Sequence, residues 1–243
     1  MRSLLRRLPG FRWWVVLRLL LAGGESRRTA VALALRPRNL FQPFTTTARE
    51  RYPDELAAVA AALAADGATE PRVLSFGCSS GEELLTLHEH FPDASITGID
   101  INPAAVRAAR RNVRRAGAQA RIDVLRAGDA EGRPAASYDV VLALAVFRHG
   151  DLNTAPGRCD DRIRFADFER TVAGLCRTVR PGGLFVIRHA NFRFGDTAVA
   201  AGFEPVCAGF PSASVHGPTP VYGRDDQILD PDLRDDGVYR RRA

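Results

Sequence analysis

The chain of 243 residues contains no lysine, so its 34 Lys/Arg positions are all arginines. We interpret this as a codon bias toward GC-rich triplets, which weakens any functional argument from the choice of arginine. Cysteine is also scarce, and Cys78, Cys159, Cys176 and Cys207 form neither a CxxC pair nor a Cys/His cluster with zinc spacing. Neither a disulfide framework nor a metal site is expected, and a reducing, cytoplasmic setting is predicted.

The N-terminal part lacks an apolar run long enough to cross a membrane. Its most apolar stretch, residues 11–22, is interrupted by Arg12 and Arg18, and the longest uncharged run within it is residues 13–17. A spanning helix needs about 18 residues with almost no charge, and Arg18 also argues against a signal peptide. Apolar residues recur at three- and four-residue steps over residues 4–22, which predicts an amphipathic helix that a Pro-Gly pair interrupts after its first turns.

The net charge of +6 is divided unevenly along the chain. Residues 1–51 hold 11 arginines and 2 acids, a net charge of +9, whereas residues 52–243 hold 23 arginines and 26 acids, a net charge of −3. We therefore predict a basic, amphipathic N-terminal extension, 1–51, followed by one domain, 52–243. The acidic domain argues against a nucleic-acid partner. Two roles stay open for residues 1–24: peripheral contact with an anionic membrane surface at its inner face, or packing against the domain or a second subunit.

The domain alternates short apolar runs with helical patterns, and hydrophobic residues make up 46% of the chain. Such alternation predicts a globular α/β domain with a parallel sheet. Strands are predicted at 73–76, 96–99, 122–125 and 138–146, and helices at 55–65, 82–91, 104–116 and 165–180. Asp54 is predicted to cap the first of these helices, and Asn102, followed by Pro103, to cap the third.

A glycine-containing loop follows the first predicted strand and reads Gly-Cys-Ser-Ser-Gly from Gly77 to Gly81. Its glycines allow a tight turn close to a ligand, and the following helix offers free N–H groups. Asp100 ends the second strand, where a carboxylate can accept hydrogen bonds from ribose hydroxyls. The Gly-Asp-Ala segment at residues 128–130 ends the next apolar run. Because ligands of open α/β sheets bind beyond the strand C-termini, these three segments are expected to meet at one site.

In these segments the chain resembles class I S-adenosylmethionine-dependent methyltransferases, from about residue 70 to 243. The resemblance implies a doubly wound, Rossmann-like sheet of seven strands with an antiparallel last strand, in which residues 203–208 and 238–241 are the last two strands. It also implies S-adenosyl-L-methionine as the cofactor. The residues that it assigns to cofactor binding are Gly77, Cys78, Ser79, Gly81, Asp100, Ile101, Asn102, Asp129, Ala130 and Ala145.

The loop departs from the usual family pattern at two positions. Ser75 stands where an acidic residue is usual, and Ser79 stands where the middle glycine of the loop is usual. The sequence of this loop is similar to that of chemotaxis-receptor methyltransferases. Glu82 or Glu83 is therefore predicted to hold the methionine ammonium of the cofactor in place of the missing acid.

The acceptor is expected beside residues 146–151, which follow the fourth strand. His149, Asp151 and His189 are the candidate catalytic residues, because each could deprotonate or orient an acceptor. An alternative interpretation, in which His149 caps the strand and Asp151 fixes the following loop, stays open. Arg162 and Arg164 are candidates for contact with an anionic substrate. A small-molecule or protein acceptor is expected, and the pattern indicates no oligomeric state.

Other functions are compatible with parts of the sequence. Residues 77–81 also match the G-x-S-x-G turn of α/β-hydrolases, with Ser79 as nucleophile and Asp151 and His189 as partners. However, only one strand precedes this turn, and Asp100 would have no role. The G-x-G-x-x-G pattern of nicotinamide dehydrogenases is not matched. A non-catalytic domain that keeps the cofactor fold is the remaining alternative.

Overall fold

The computed structural model describes residues 18, 21, 24–35, 39–44, 47–208, 210, 219–230 and 234–243. The helices of the described residues are α1 (Gly24–Leu35), α2 (Pro53–Ala65), α3 (Glu82–His90), α4 (Pro103–Arg115) and α5 (Phe165–Thr178). The strands are β1 (Arg72–Phe76), β2 (Ser95–Asp100), β3 (Ile122–Arg126), β4 (Tyr138–Leu144), β5 (Val179–Arg188), β6 (Phe203–Ala208) and β7 (Gly237–Arg241).

The seven strands form one sheet in the order β3-β2-β1-β4-β5-β7-β6. Pairing is parallel from β3 through β5, whereas β7 is antiparallel to both β5 and β6. The predicted doubly wound sheet of seven strands with an antiparallel last strand is therefore confirmed. Strand order reverses between β1 and β4, and ligands of open α/β sheets bind at such a point, beyond the C-terminal ends of the strands.

Both faces of the sheet are covered, as expected for parallel strands. Along β4, Val141 and Ala143 join one buried cluster, and Val140 and Leu142 join the other, on the opposite face. Alternate side chains of a strand point to opposite faces, so an uninterrupted apolar run is what a doubly covered strand requires. This run made β4 the most apolar of the predicted strands.

Helix boundaries agree with the sequence except at one cap. Asn102 caps α4 as predicted, because its side chain accepts a hydrogen bond from the backbone N–H of Ala104 at 2.9 Å. The prediction that Asp54 caps α2 is wrong. The helix begins at Pro53, the N-cap residue is Tyr52, and no side chain supplies a capping hydrogen bond. Proline already has the φ of a first helical residue and lacks the N–H that a cap would satisfy.

Helix α1 was not predicted, and it lies within the extension. It packs against α4, and the Asn102 side-chain amide donates to the carbonyl of Arg28 at 2.8 Å. The amphipathic helix predicted over residues 4–22 lies outside the described residues, apart from residues 18 and 21. The boundary between extension and domain therefore stays a prediction. In the part of the chain that the structure describes, no helix is long and apolar enough to cross a membrane.

A buried ion-pair network joins α2, the end of β5 and the residue that precedes β7. Nε of Arg188 lies 2.5 Å from Glu55 and its Nη1 lies 3.2 Å from Asp236, and all three side chains are at most 5% exposed. Asp236 also accepts from the backbone N–H of His189 at 2.8 Å. Two carboxylates surround one guanidinium, with Arg234 3.6 Å from Asp236, so the buried charges are compensated.

Replacing Arg188 by leucine would leave Glu55 and Asp236 buried without their shared cation. We expect the free energy of unfolding to fall by about 3–5 kcal/mol, which corresponds to a Tm lower by roughly 6–20 °C for a chain of this size. Circular dichroism melting measures it. Arg170→Ala, which removes an exposed pair with Asp167, is the control and should cost at most about 1 kcal/mol. Equal losses of unfolding free energy in the two variants would contradict the expected contribution of the buried network to stability.

Candidate functional site

A cavity opens at the C-terminal ends of β1, β2 and β4, and we name it the strand-end cavity. The empty space between its lining residues is about 990 Å³ when the part that is open to solvent is included. Its lining residues come from the strand ends and α3, from the segments 39–44 and 47–52, and, with Leu56, from α2. The first group is Phe76, Gly77, Cys78, Ser79, Glu83, Thr86, Asp100, Ile101, Asn102, Ala127, Gly128, Leu144, Ala145 and Val146.

The Asp100 carboxylate organises the floor of this cavity. One of its oxygens accepts from the backbone N–H of Ser79 at 2.8 Å, and the other accepts from that of Asn102 at 2.7 Å. Burial raises the pKa of Asp100 above its usual value, while these two hydrogen bonds oppose the rise. Each carboxylate oxygen has a further lone pair, so the side chain can still accept hydrogen bonds from a ligand in the cavity.

The backbone comes close to the cavity at Gly77 because no side chain stands there. Gly77 has φ +79°, and a Cβ at this position would lie 2.5 Å from Cγ2 of Val146. Only glycine tolerates both the left-handed backbone and the approach of the β4 loop. The Cβ of any other residue at position 77 would thus disturb the packing of this loop against Val146.

Three residues other than glycine have left-handed backbones where strands end. They are Ser79 after β1, Ala145 after β4 and His189 after β5, with φ of 49°, 55° and 50°. Such conformations carry strain, and they concentrate at functional sites. Ser79 and Ala145 line the strand-end cavity, so the strained backbone coincides with the ligand site at two of the three positions.

Glu83, in the first turn of α3, is an acidic residue that lines the cavity. Its carboxylate accepts a hydrogen bond from the Ser75 hydroxyl at 2.7 Å. Burial raises the pKa of Glu83 to about 7, although the bond from Ser75 and the cation of Arg51 counteract it. Ser75 thus occupies the usual position of the acid and holds a carboxylate from the next helix. A cation bound beside Glu83 would favour its ionised form.

The segments 39–44 and 47–52 form the opposite wall of the cavity. Phe41 is 3% exposed and packs edge-on against Phe147, with the ring centroids 5.0 Å apart. Further along, the backbone N–H of Glu50 donates to the hydroxyl of Thr86 in α3 at 3.3 Å. The wall is therefore attached to the loop after β4 at one end and to α3 at the other.

The cavity brings together most, though not all, of the predicted cofactor residues. Gly77, Cys78, Ser79, Asp100, Ile101, Asn102 and Ala145 line it. The remaining three, Gly81, Asp129 and Ala130, are not lining residues. Gly81 begins α3 with φ +89°, Asp129 lies 3.4 Å from the Asn39 amide at the rim, and Ala130 is fully buried in the core. The roles assigned to these ten residues stay predictions.

A second opening, which we name the outer cavity, adjoins the first. It encloses about 810 Å³ and is lined by Gln42, Phe44, Arg51, Ala145, Arg148, Gly150, Asp151 and Asn153. Gln42, Phe44, Arg51 and Ala145 belong to both cavities. The two spaces are therefore contiguous, as a cofactor site and an acceptor site must be.

His149 and Asp151 lie beside the outer cavity. The Nδ1 atom of His149 accepts from the backbone N–H of Asp151 at 3.2 Å, which leaves Nε2 for another partner. Burial lowers the pKa of His149, while Asp151 opposes this effect, so the imidazole is neutral at pH 7. The carboxylate of Asp151 pairs with Arg162 at 3.1 Å. His149 thus caps the short 3-10 helix of residues 150–154 rather than the strand before it, and its catalytic role stays a prediction.

His189 lines neither cavity, although it packs against Tyr52 of the strand-end cavity. Its ring centroid is 5.7 Å from that of Tyr52 and the residue is 5% exposed. Burial and the neighbouring cations, Arg188 first among them, lower the pKa of His189 to about 3. The side chain is thus neutral and lines neither cavity, which gives no support to a direct catalytic role or to a triad with Ser79.

Sequence reasoning missed the wall residues and Arg148. The stretch 39–47 was interpreted as an irregular lead-in, and no spacing pattern marks Phe41 or Gln42 as cavity residues. Arg148 lies inside the segment that was assigned to the acceptor, directly before His149. A signal was available there, since a charged residue beside a buried strand end is unusual.

Among the described ranges, no cluster of three or more His, Cys, Asp or Glu side chains could hold a metal ion. The cysteines are free, and Cys78, Cys159 and Cys176 are buried. Burial raises the pKa of the Cys78 thiol well above its usual value. We therefore assign no thiol nucleophile to the described part of the site.

Comparison with known proteins shows similarity to methyltransferases. Residues 74–185 match a family model described as a methyltransferase domain. The chain is 32% identical over 148 residues to a 4-amino-L-phenylalanine/4-methylamino-L-phenylalanine methyltransferase of Streptomyces pristinaespiralis, covering 56% of this chain and 49% of that protein. It is 28% identical over 163 residues to a trans-aconitate 2-methyltransferase of Deinococcus radiodurans, covering 62% and 52%. The chain thus spans about half the length of these curated relatives.

Among solved structures, one similar chain is an S-adenosylmethionine-dependent methyltransferase of Geobacter sulfurreducens in complex with S-adenosyl-L-homocysteine. Its identity is 22%, its TM-score is 0.40, and the match covers 62% of this chain and 54% of that one. Residues 74–185 are thus similar to methyltransferase domains, and the sheet has the seven strands and the antiparallel last strand that the resemblance to class I, S-adenosylmethionine-dependent methyltransferases implies.

The requirement for glycine at position 77 can be tested by comparison with a glycine whose Cβ position is open. We expect Gly77→Ala to lower the free energy of unfolding by at least about 1 kcal/mol more than Gly117→Ala, because only the first also forces a methyl group against Val146. Gly117 has φ +71° with nothing within 4 Å of its ideal Cβ, so it controls for backbone strain alone. Urea denaturation measures both. Equal losses of unfolding free energy in the two variants would mean that the loop after β4 moves away from the added methyl group at no cost in stability.

Proposed function

We propose that the protein is a methyltransferase that transfers a methyl group from S-adenosylmethionine to a small-molecule acceptor. The observation that carries this proposal is the strand-end cavity, whose lining at β1, β2 and β4 is contiguous with the outer cavity. Both curated relatives are named for small-molecule acceptors, an aminophenylalanine and trans-aconitate. Their names favour a small molecule over a protein as the acceptor of this chain.

The residues of the strand-end cavity fit the cofactor at its two polar parts. The Asp100 carboxylate is a suitable acceptor for the ribose hydroxyls, and Gly77 allows the backbone to approach the chain of the methionine. Glu83, which lines the same cavity, is a suitable partner for the methionine ammonium. When bound, the cofactor supplies an electrophilic methyl group on a sulfonium.

The acceptor would enter through the outer cavity and meet the strand-end cavity at Ala145. Placement in line with the methyl group is the main requirement of this chemistry, and positioning alone can lower a barrier by several kcal/mol. Because Nδ1 of the neutral His149 accepts a hydrogen bond from Asp151, the ring proton is on Nε2, which could donate a hydrogen bond to the acceptor and orient it. Asp151 is held by Arg162 and would orient the acceptor rather than remove a proton from it.

A non-catalytic domain that binds the cofactor is the second candidate, motivated by the Ser75 and Ser79 departures from the usual loop. The hydrogen bond from Ser75 to Glu83 weakens this alternative, because Glu83 gives the cavity a carboxylate in place of the one that is usual at position 75. The hydrolase alternative is disfavoured, since β1 is the first strand of the described sheet and His189 lines neither cavity.

Binding of S-adenosylhomocysteine, measured by titration calorimetry, tests the proposed cofactor site. We expect Asp100→Ala to weaken binding by about tenfold or more, since hydrogen bonds to a charged acceptor are worth about 1.5–3 kcal/mol each. Asp123→Ala is the control, because Asp123 is exposed on the edge strand β3. Absence of binding to the folded wild-type protein would overturn the proposal. Turnover of p-nitrophenyl esters that Ser79→Ala abolishes would support the hydrolase instead.

The pKa of about 7 at Glu83 predicts a pH dependence of cofactor binding. A bound ammonium favours the ionised carboxylate, and protons compete for it below pH 7. We therefore expect the affinity for S-adenosylhomocysteine to fall up to about fivefold from pH 7 to pH 6. Glu83→Gln should bind more weakly at pH 7 and lose most of this dependence. The same pH profile in both proteins would assign the titration to a different group.

A further inference from the structure

Arg148 is a buried cation without an anionic partner among the described residues. The residue is 3% exposed. Its Nη2 donates to the side-chain carbonyl of Asn153 at 2.8 Å, and its Nε is buried without a hydrogen-bond partner. This contrasts with Arg188, whose guanidinium lies between two carboxylates. A buried charge is costly unless it is paired, so the Arg148 side chain is in an environment that lacks its counterion.

The charges around Arg148 do not compensate for it. Burial lowers the pKa of its guanidinium, and Arg51 and Arg234 lower it further, while the Tyr52 hydroxyl opposes them. Asp151 is the acidic side chain that shares the outer cavity with Arg148, and it is bound to Arg162 at 3.1 Å. The electrostatic environment of the guanidinium is therefore positive and favours an additional anion.

A second unsatisfied donor lies close by. The hydroxyl of Tyr52 is buried and has no hydrogen-bond partner in the part of the chain that the structure describes, and Tyr52 lines the strand-end cavity. The guanidinium of Arg148 is near enough to act on the pKa of this hydroxyl, which burial raises far above its usual value. Among the described residues, Nε of Arg148 and the Tyr52 hydroxyl are thus two buried donors without acceptors, and they belong to residues that line the two cavities. Arg51 and Ala145 line both cavities, which therefore meet there.

We propose that Arg148 anchors a carboxylate group of the methyl acceptor in the outer cavity. The planar guanidinium matches the two oxygens of a carboxylate, and such charged hydrogen bonds are stronger than neutral ones. A carboxylate, with one negative charge, suits a cavity that also contains Asp151 and the ring of Phe44 better than a doubly charged phosphate does. The inference rests on the proposed function, because it names the chemical class of the acceptor for the same site.

The same geometry would fix the orientation of the acceptor. Arg148 lies three residues beyond Ala145, which lines both cavities, so an acceptor held at its carboxylate would extend toward the strand-end cavity. Arg148 is then a binding residue for the acceptor, and His149 and Asp151 lie directly beside it in the chain. Arg162 and Arg164, the arginines predicted for an anionic substrate, are exposed.

Benzoate and its neutral analogue benzamide serve as probes, by titration followed with ligand-observed NMR. Each is titrated with and without saturating S-adenosylhomocysteine. We expect benzoate to bind the wild-type protein more tightly than benzamide does, and Arg148→Met to weaken benzoate binding by about tenfold or more while benzamide binding is unchanged. Arg164→Met, which removes an exposed arginine of the neighbouring segment, is the matched control and should bind benzoate as the wild type does.

Thermal stability separates an anchor from a structural role. An unpaired buried cation costs stability, so Arg148→Met should keep or raise the Tm in the absence of probe. Benzoate should raise the Tm of the wild-type protein but not that of Arg148→Met. Equal benzoate affinity in the wild type and Arg148→Met, or no benzoate binding to a wild type that binds S-adenosylhomocysteine, would overturn the carboxylate site alone. Failure of S-adenosylhomocysteine binding would instead overturn the proposed function, and the benzoate titration without it still decides the carboxylate site.

Discussion

The Asp100 carboxylate is the interaction on which the geometry of the strand-end cavity depends. It holds the loop after β1 through the N–H of Ser79 and the loop after β2 through the N–H of Asn102. The Asn102 side chain then caps α4 and donates to the carbonyl of Arg28 in α1. Asp100 and Asn102 thus connect three segments that are distant in sequence, and the cavity forms where the loops after β1 and β2 meet.

The chain treats its buried cations in two different ways. Arg188 is compensated within the fold by Glu55 and Asp236, and this network fastens α2 to the last strands. Arg148 is equally buried, but its neighbourhood contains Arg51 and Arg234, and among the described residues its hydrogen-bond acceptor is the amide oxygen of Asn153. A stable domain can tolerate one such position when the missing interaction is supplied by a ligand. The comparison distinguishes a charge that serves the fold from one available to a ligand.

The sequence was informative where the relevant contacts are local. The turn at Gly77, the end of β2 at Asp100 and the cap at Asn102 depend on neighbours within a few residues, so spacing alone predicts them. Contacts between distant segments left no such pattern. Phe41 meets Phe147 across more than a hundred residues, and α1 packs on α4 through a backbone carbonyl. The acid of the cavity was assigned to either Glu82 or Glu83, and the hydrogen bond from Ser75 singles out Glu83.

The wall formed by residues 39–44 and 47–52 has a consequence for the rate of the proposed methyl transfer. It lines the strand-end cavity and is attached at Phe41 to the β4 loop and at Glu50 to α3. A cofactor bound between this wall and the strand ends would contact the wall as it leaves. In the proposed function, each methyl transfer produces one spent cofactor molecule that must be exchanged for a fresh one. We therefore expect the dissociation of this product, controlled by the aromatic and hydrogen-bond contacts of the wall, to limit the steady-state rate.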